Sequence, residues 1–113
     1  MNNVILIGRM VRDPELRYVG DEKAVAKFCL AVDRFGKDAG ADFINCEVWG
    51  KAAENTQTFC HKGTLVGVMG SLKIDKVEKE GEKSSYTKVS VREIQFLSKK
   101  SNLEDEKDDK VPF

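Results

Sequence analysis

The chain lacks any apolar run approaching the ~20 residues that span a bilayer, which argues against a membrane helix. Its apolar stretch at residues 4–7 is shorter than the ~7–15-residue core of a signal peptide and has no basic segment before it. The expected location is therefore the cytoplasm, with no membrane association. Cysteine is scarce as well. Cys29, Cys46 and Cys60 are too few and too widely spaced for a disulfide scaffold, and none forms a CxxC pair, so they read as small buried apolar residues. A single histidine, His61, argues against a histidine-rich metal site. It adjoins Cys60, but neighbouring residues on a helix point in different directions and no third group orients the pair as nucleophile and base. There is no phosphate loop, and no catalytic carboxylate pair stands out from the surface charge. An enzyme is the least favoured class, and no cofactor or metal is expected.

Excess charge is missing too. Nineteen basic side chains meet nineteen acidic ones, whereas domains that bind nucleic acid are usually basic. The balance hides an asymmetry: residues 1–100 carry 17 basic and 14 acidic side chains, and residues 101–113 carry 2 and 5. A mildly basic body precedes an acidic tail.

What is present fits one small folded domain. At 113 residues, with 41% hydrophobic and 34% charged, the chain has room for a single core and none for a multidomain enzyme. Residues 3–11 read as a strand, followed by a turn at Arg12-Asp13-Pro14, where proline cannot donate to a sheet ladder. Residues 24–33 form a second apolar strand between Gly20-Asp21 and Gly36. Residues 43–49, FINCEVW, alternate strictly. Ile44, Cys46 and Val48 fall on one face, and Phe43, Asn45, Glu47 and Trp49 on the other. The first set makes an ordinary core face. The second combines two large rings with polar groups, the composition of a surface that stacks against something flat.

Residues 51–61 carry the one helical pattern, stopped by Gly63. Strand character returns at 64–72, where Gly67 and Gly70 suit bends or bulges. The charged segment 73–85 reads as a long hairpin loop with its tip at Glu80-Gly81. Residues 86–97 close the sheet, with Thr87, Val89 and Val91 inward until Ile94, Phe96 and Leu97 break the parity. Phe28, Phe59 and Phe96 are assigned to the core. Three strands, a helix and two strands predict an all-β fold with one short helix, a five-stranded OB-fold Greek-key barrel. From Lys99 onward there is little to bury, and a disordered acidic C-terminal tail is expected.

Four segments in this order, MNNVILIGRMVRDPELRY, AVAKFCLAVDR, DFINCEVWGKAAEN with TFCHKGTLVGVMGSL, and YTKVSVREIQFL, resemble the bacterial single-stranded DNA-binding (SSB) protein family over residues 1–97. The closing DDKVPF is similar to the family's acidic Asp-Asp-Asp-Ile-Pro-Phe tip. The resemblance implies a homotetrameric, nucleoid-associated coat protein that protects single-stranded DNA in replication, recombination and repair. It implies base stacking by Phe35, Phe43 and Trp49. Phosphate contacts are implied for Arg17, Lys51 and Lys62, with Arg9, Arg34 and Lys73 as plausible additions and Tyr18 as a lesser stacking candidate. The domains implied are 1–98 for strand binding, a short linker at 99–107, and a partner-binding tip at 108–113. That tip would use Asp108, Asp109, Val111, Pro112 and Phe113 to recruit replication and repair proteins.

The chain departs from the family pattern at Val77, where a ring is expected, and at Asp75, where a basic residue is common. With Glu47 beside the exposed rings, these departures predict a weaker or more salt-sensitive binder. Lys110 stands where an aspartate is expected, and the linker is short. Two alternatives remain open: an accessory paralogue of phage, mobile-element or DNA-uptake origin, and an OB-fold adaptor that mainly contacts proteins.

Overall fold

The computed structural model describes residues 1–97, so the linker and tip expected at 99–107 and 108–113 lie outside the described residues. Six strands and one helix follow in chain order: β1 (Val4–Met10), β2 (Glu15–Val19), β3 (Lys23–Asp33), β4 (Ala41–Trp49), α1 (Lys51–Phe59), β5 (Leu65–Lys79) and β6 (Glu82–Phe96). Five of the strands close a ring. β1 pairs with β5, β5 with β6, β6 runs parallel to β4, β4 pairs with β3, and β3 returns to β1 through Arg9↔Ala31 and Met10↔Leu30. This is the expected five-stranded barrel with its helix after β4. β2 lies outside the ring as a hairpin arm on the edge of β3.

Alternation builds the core. Ala24, Ala26, Phe28 and Leu30 of β3 point inward with Cys46 and Val48 of β4, Val66 and Val68 of β5, and Val89 and Val91 of β6. Burying each of the larger aliphatics Leu30, Val48, Val66, Val68 and Val89 contributes about 1.5–3 kcal/mol. α1 adds the fully buried Ala53 and Thr56. The Thr56 hydroxyl donates back to the Ala52 carbonyl at 2.7 Å, so a polar side chain is buried without an orphaned group. All three cysteines are buried. Burial pushes the Cys46 thiol up to about 12 and the Cys60 thiol up to about 11, so both are neutral at physiological pH.

Several expectations require correction. Residues 15–19 form a strand, so four strands precede the helix instead of three. Segment 73–85 is no loop: β5 and β6 stay paired out to Lys79↔Glu82, and Glu80 (φ 53°) and Gly81 (φ 84°) make a two-residue turn that matches strand twist. The expected tip is therefore right and the structure around it is a ribbon. α1 ends at Phe59, with Cys60 already extended. Phe59 and Phe96 do not join the core; they are half-exposed and pack on each other, centroids 5.8 Å apart. Thr87 is exposed.

The parity break in β6 has a local cause. Met69 faces Glu93 and Gly70 faces Val91, so Arg92 has no counterpart on β5, and the inward side moves from Val89 and Val91 to Ile94. Gly70 makes this bulge sterically feasible, since a Cβ there would sit 2.0 Å from the Ser90 carbonyl oxygen. At Gly67 the nearest atom to a built Cβ is the flexible Leu97 Cδ1, at 3.5 Å. Gly70→Ala is expected to cost about 3 kcal/mol and lower Tm by roughly 12–24 °C, with Gly67→Ala changing it little; calorimetry of the two variants checks this.

Candidate functional site

The β2–β3–β4 wall carries a second set of side chains on its outer face, at the odd positions. Register assembles them into rows. Arg17 of β2, Val25 of β3 and Trp49 of β4 form one row, and Arg9 of β1, Ala31 of β3 and Phe43 of β4 form another. Each row places a guanidinium and an aromatic ring on either side of a small or aliphatic residue, two strand spacings apart. The rows cross β3 six residue steps apart, at Val25 and Ala31, about 20 Å at ~3.3 Å per residue. Phe43 is 67% exposed and Trp49 44%, so both rings offer faces to solvent although neither lies in an ordinary core position.

The β3–β4 loop extends the Phe43 end. Phe35 projects from it fully exposed, and Arg34 is fixed by Asp42, with Nη2 at 2.7 Å and Nε at 2.9 Å from Oδ1. This pairing holds the Asp42 carboxyl below its usual range and raises Arg34. Lys51 opens α1 two residues after Trp49, with its ammonium 3.9 Å from Glu54. Arg17 bonds Glu15 at 3.0 Å, and Arg9 donates to the Gly63 carbonyl at 3.1 Å. The Lys62 backbone N–H donates to Asp13 in the β1–β2 turn. Lys73 sits on the ribbon, opposite Lys88. Tyr18 has the parity opposite to Arg17, and its hydroxyl donates to Glu54 at 3.2 Å, so it faces α1 and not the aromatic rows.

Between the rows the outer face borders a groove, with Lys27 and Asn45 still exposed. The ribbon residues Asp75, Val77, Tyr86 and Lys88 form one wall of this groove of about 390 Å³, whose other sides include Arg12, Glu15, Lys27, Asn45 and Glu47. One ammonium joins wall to sheet. Lys88 Nζ lies 2.9 Å from Asp75 Oδ2 on β5 and 3.1 Å from Glu47 Oε1 on β4. The other carboxylate oxygen, Glu47 Oε2, accepts from Trp49 Nε1 at 3.2 Å. Glu47 thus does not lie exposed beside the rings as its alternation suggested. It is 6% exposed, hydrogen-bonded through both oxygens, and it orients the indole. Asp75 raises the Lys88 pKa, with Glu47 adding to the effect. Lys88 in turn holds Asp75 below its usual range, helped by the fields of Lys73 and Lys27. Lys27 and Asp75 line the same groove, so this face of the ribbon looks onto β3.

Sequence reasoning missed Lys27, Tyr86 and Lys88. Period-two alternation puts Ser84, Tyr86 and Lys88 on one face, but only once 82–88 is recognised as strand. Removing the shared ammonium leaves Glu47 buried without a countercharge. Lys88→Met is expected to cost about 2 kcal/mol, less than for a fully enclosed pair because Lys88 is partly open to water. Glu47→Gln keeps an acceptor for the indole and is expected to cost under about 1 kcal/mol. Thermal melts with Trp49 emission as the probe distinguish the two.

The pattern of the single-strand binding protein family matches residues 1–97. Single-stranded DNA-binding protein A of Bacillus subtilis (strain 168) is 44% identical over 106 residues, covering 89% of this chain and 62% of that protein. A single-stranded DNA-binding protein of Halalkalibacterium halodurans is 46% identical over 102 residues (86% and 61%). Single-stranded DNA-binding protein 2 of Listeria monocytogenes is 45% identical over 107 residues (90% and 67%). The chain spans about three fifths of the length of the first two relatives. With the barrel, its exposed aromatic rows and a family match across all the described residues, the chain belongs to the single-strand binding protein family, whose members bind and do not catalyse.

Proposed function

We propose that the chain binds single-stranded DNA with little sequence preference, coating and protecting strands exposed in replication, recombination and repair. The observation that carries this is the pair of ring-and-guanidinium rows, Phe43 with Arg9 and Trp49 with Arg17, on one outer face of the barrel. Every base has a π-face, so stacking at ~1–3 kcal/mol per base is tolerant of sequence, and counterion release supplies the rest. Phe35 extends the stacking surface. Arg34, Lys51, Lys62 and Lys73 are assigned to phosphates along the flanks.

Two of the reasons for expecting weaker binding shift. Asp75 and Glu47 share Lys88, so the three groups carry a net charge of −1 between them and Glu47 is out of reach of a strand. Val77 remains a real departure. Recruitment of replication and repair proteins through Asp108, Asp109, Val111, Pro112 and Phe113 is supported by sequence resemblance, as is nucleoid association.

Association into a homotetramer is supported by a different wall of the barrel. Ile5 (67% exposed) and Ile7 (58%) of β1 stand beside Met69 of β5 and Leu97 in an apolar cleft of about 160 Å³. Along residues 4–7, β1 pairs only with β5, which leaves its other edge open to a second copy among the described pairings. An apolar face this exposed is unusual for a monomer. The two rings and Arg17 lie on β2 and β4, on other strands than this wall, while Arg9 stands on β1 itself, two residues beyond Ile7.

Two experiments test the reading. Trp49 is the only tryptophan, so titration with oligo-dT should quench its emission, with log K falling linearly in log salt; no quenching and no gel shift would overturn strand binding. Light scattering should give a mass near four times 12.7 kDa for the unaltered chain and a smaller species for the double variant I5E/I7E. A monomer mass for the unaltered chain would remove the tetramer.

A further inference from the structure

Tyr86 is the aromatic residue on the ribbon, and none of the roles above uses it. It is 60% exposed and lines the groove. Its position follows from register. Lys73↔Lys88, Asp75↔Tyr86 and Val77↔Ser84 share one face of the β5–β6 ribbon. That face is turned toward the sheet, because Lys88 reaches Glu47 of β4 from it while holding Asp75, and Lys27 of β3 lines the same groove. The Tyr86 hydroxyl has no hydrogen bond among the described residues, and no ring packs on it there.

Tyr86 is not a core tyrosine: its ring is largely exposed, and its hydroxyl has no partner among the described residues to hold it for a structural purpose. The alternation that exposes it also sets it diagonally across from Val77 and two residues before Lys88 on the same strand, within reach of a planar group entering the groove. The ribbon itself is held in place by the Lys88 clip, so the ring is presented from a fixed wall and costs little to order on binding.

We propose that Tyr86 is a base-stacking residue on the ribbon wall, opposite the sheet that carries Phe43 and Trp49, so that a nucleobase of the bound strand is seated in the groove between them. This rests on the single-strand reading and adds a second wall to it. It also changes the meaning of Val77: the ribbon is not without a ring but carries one on the partner strand, one cross-strand step away.

The experiment compares the unaltered full chain with Tyr86→Ala and Tyr86→Phe in anisotropy titrations with labelled oligo-dT, alongside Trp49 quenching and melting curves. A second arm irradiates the unaltered chain bound to an oligonucleotide containing 5-iododeoxyuridine and maps the adducts by mass spectrometry. Tyr86→Ala should weaken binding roughly 5- to 150-fold with an unchanged melt, and Tyr86→Phe should stay within about two-fold, because stacking needs the ring and not the hydroxyl. An adduct at Tyr86 should appear. If Tyr86→Ala binds within two-fold of the unaltered chain and no adduct forms at Tyr86, the inference is overturned while Trp49 quenching still upholds strand binding. Equal weakening in both variants overturns stacking in favour of a hydrogen bond. Absence of quenching in the unaltered chain removes both.

Discussion

The geometry of the outer face depends on one ammonium group. Lys88 Nζ is shared by Asp75 on the ribbon and Glu47 on the sheet, and through Glu47 it is coupled to the indole N–H of Trp49. Without that group the outer part of the ribbon would lose its side-chain tie to β4 beyond the Cys46↔Val89 pairing, and Glu47 would be a buried carboxylate with only a neutral donor. Buried charges are tolerated when paired and hydrogen-bonded, and here the pairing also positions the ribbon relative to the sheet that carries the exposed rings. The orientation of Trp49 and the placement of the ribbon wall are set by the same contact. A change on either wall is therefore felt by the other.

The inner half of this arrangement was legible in the sequence. The FINCEVW alternation separates Ile44, Cys46 and Val48 from Phe43 and Trp49, and the structure keeps that separation. The order of strands and helix was enough for the closed ring, and Glu80-Gly81 marked the ribbon tip. What escaped did so because burial carries most of the sequence signal. β2 has only Leu16 half-buried on its inner side and hangs on the edge of β3, so it shows little alternation of hydrophobicity. The ribbon beyond Leu72 exposes both faces, and its pairing rests on backbone hydrogen bonds that composition does not announce. Parity correctly assigned Glu47 to the outer face, but only the ribbon folding back over that face buries it. Phe59 and Phe96 fall at helix and strand ends, where a ring can cover its neighbour without entering the barrel.

The apolar wall and the aromatic rows represent two solutions to the same shortage of polar surface on a small barrel. Ile5, Ile7 and Met69 are aliphatic or thioether groups set close together, suited to non-directional packing against another surface of the same kind. Phe43 and Trp49 are separated by polar residues and flanked by guanidinium groups, so each ring is an isolated platform with a charge nearby. The first pattern favours burial as a block. The second suits a ligand that alternates flat apolar and anionic units, which is the chemistry of a nucleic acid strand.

The formal charge of zero fits this picture once the partners of the cations are considered. On the proposed reading, Arg17 and Arg34 contact phosphates, yet each is already bonded to a carboxylate, Glu15 and Asp42. A phosphate then replaces a protein anion instead of a solvent counterion, and the freed carboxylate must gather a cation of its own. The release of counterions that drives association, about 0.7 per phosphate neutralised on a single strand, is reduced at those positions. Affinity shifts toward the stacking surfaces, which salt does not screen. A chain with balanced charge can bind a polyanion in this way because its rings carry the affinity and its paired cations chiefly set the path of the backbone.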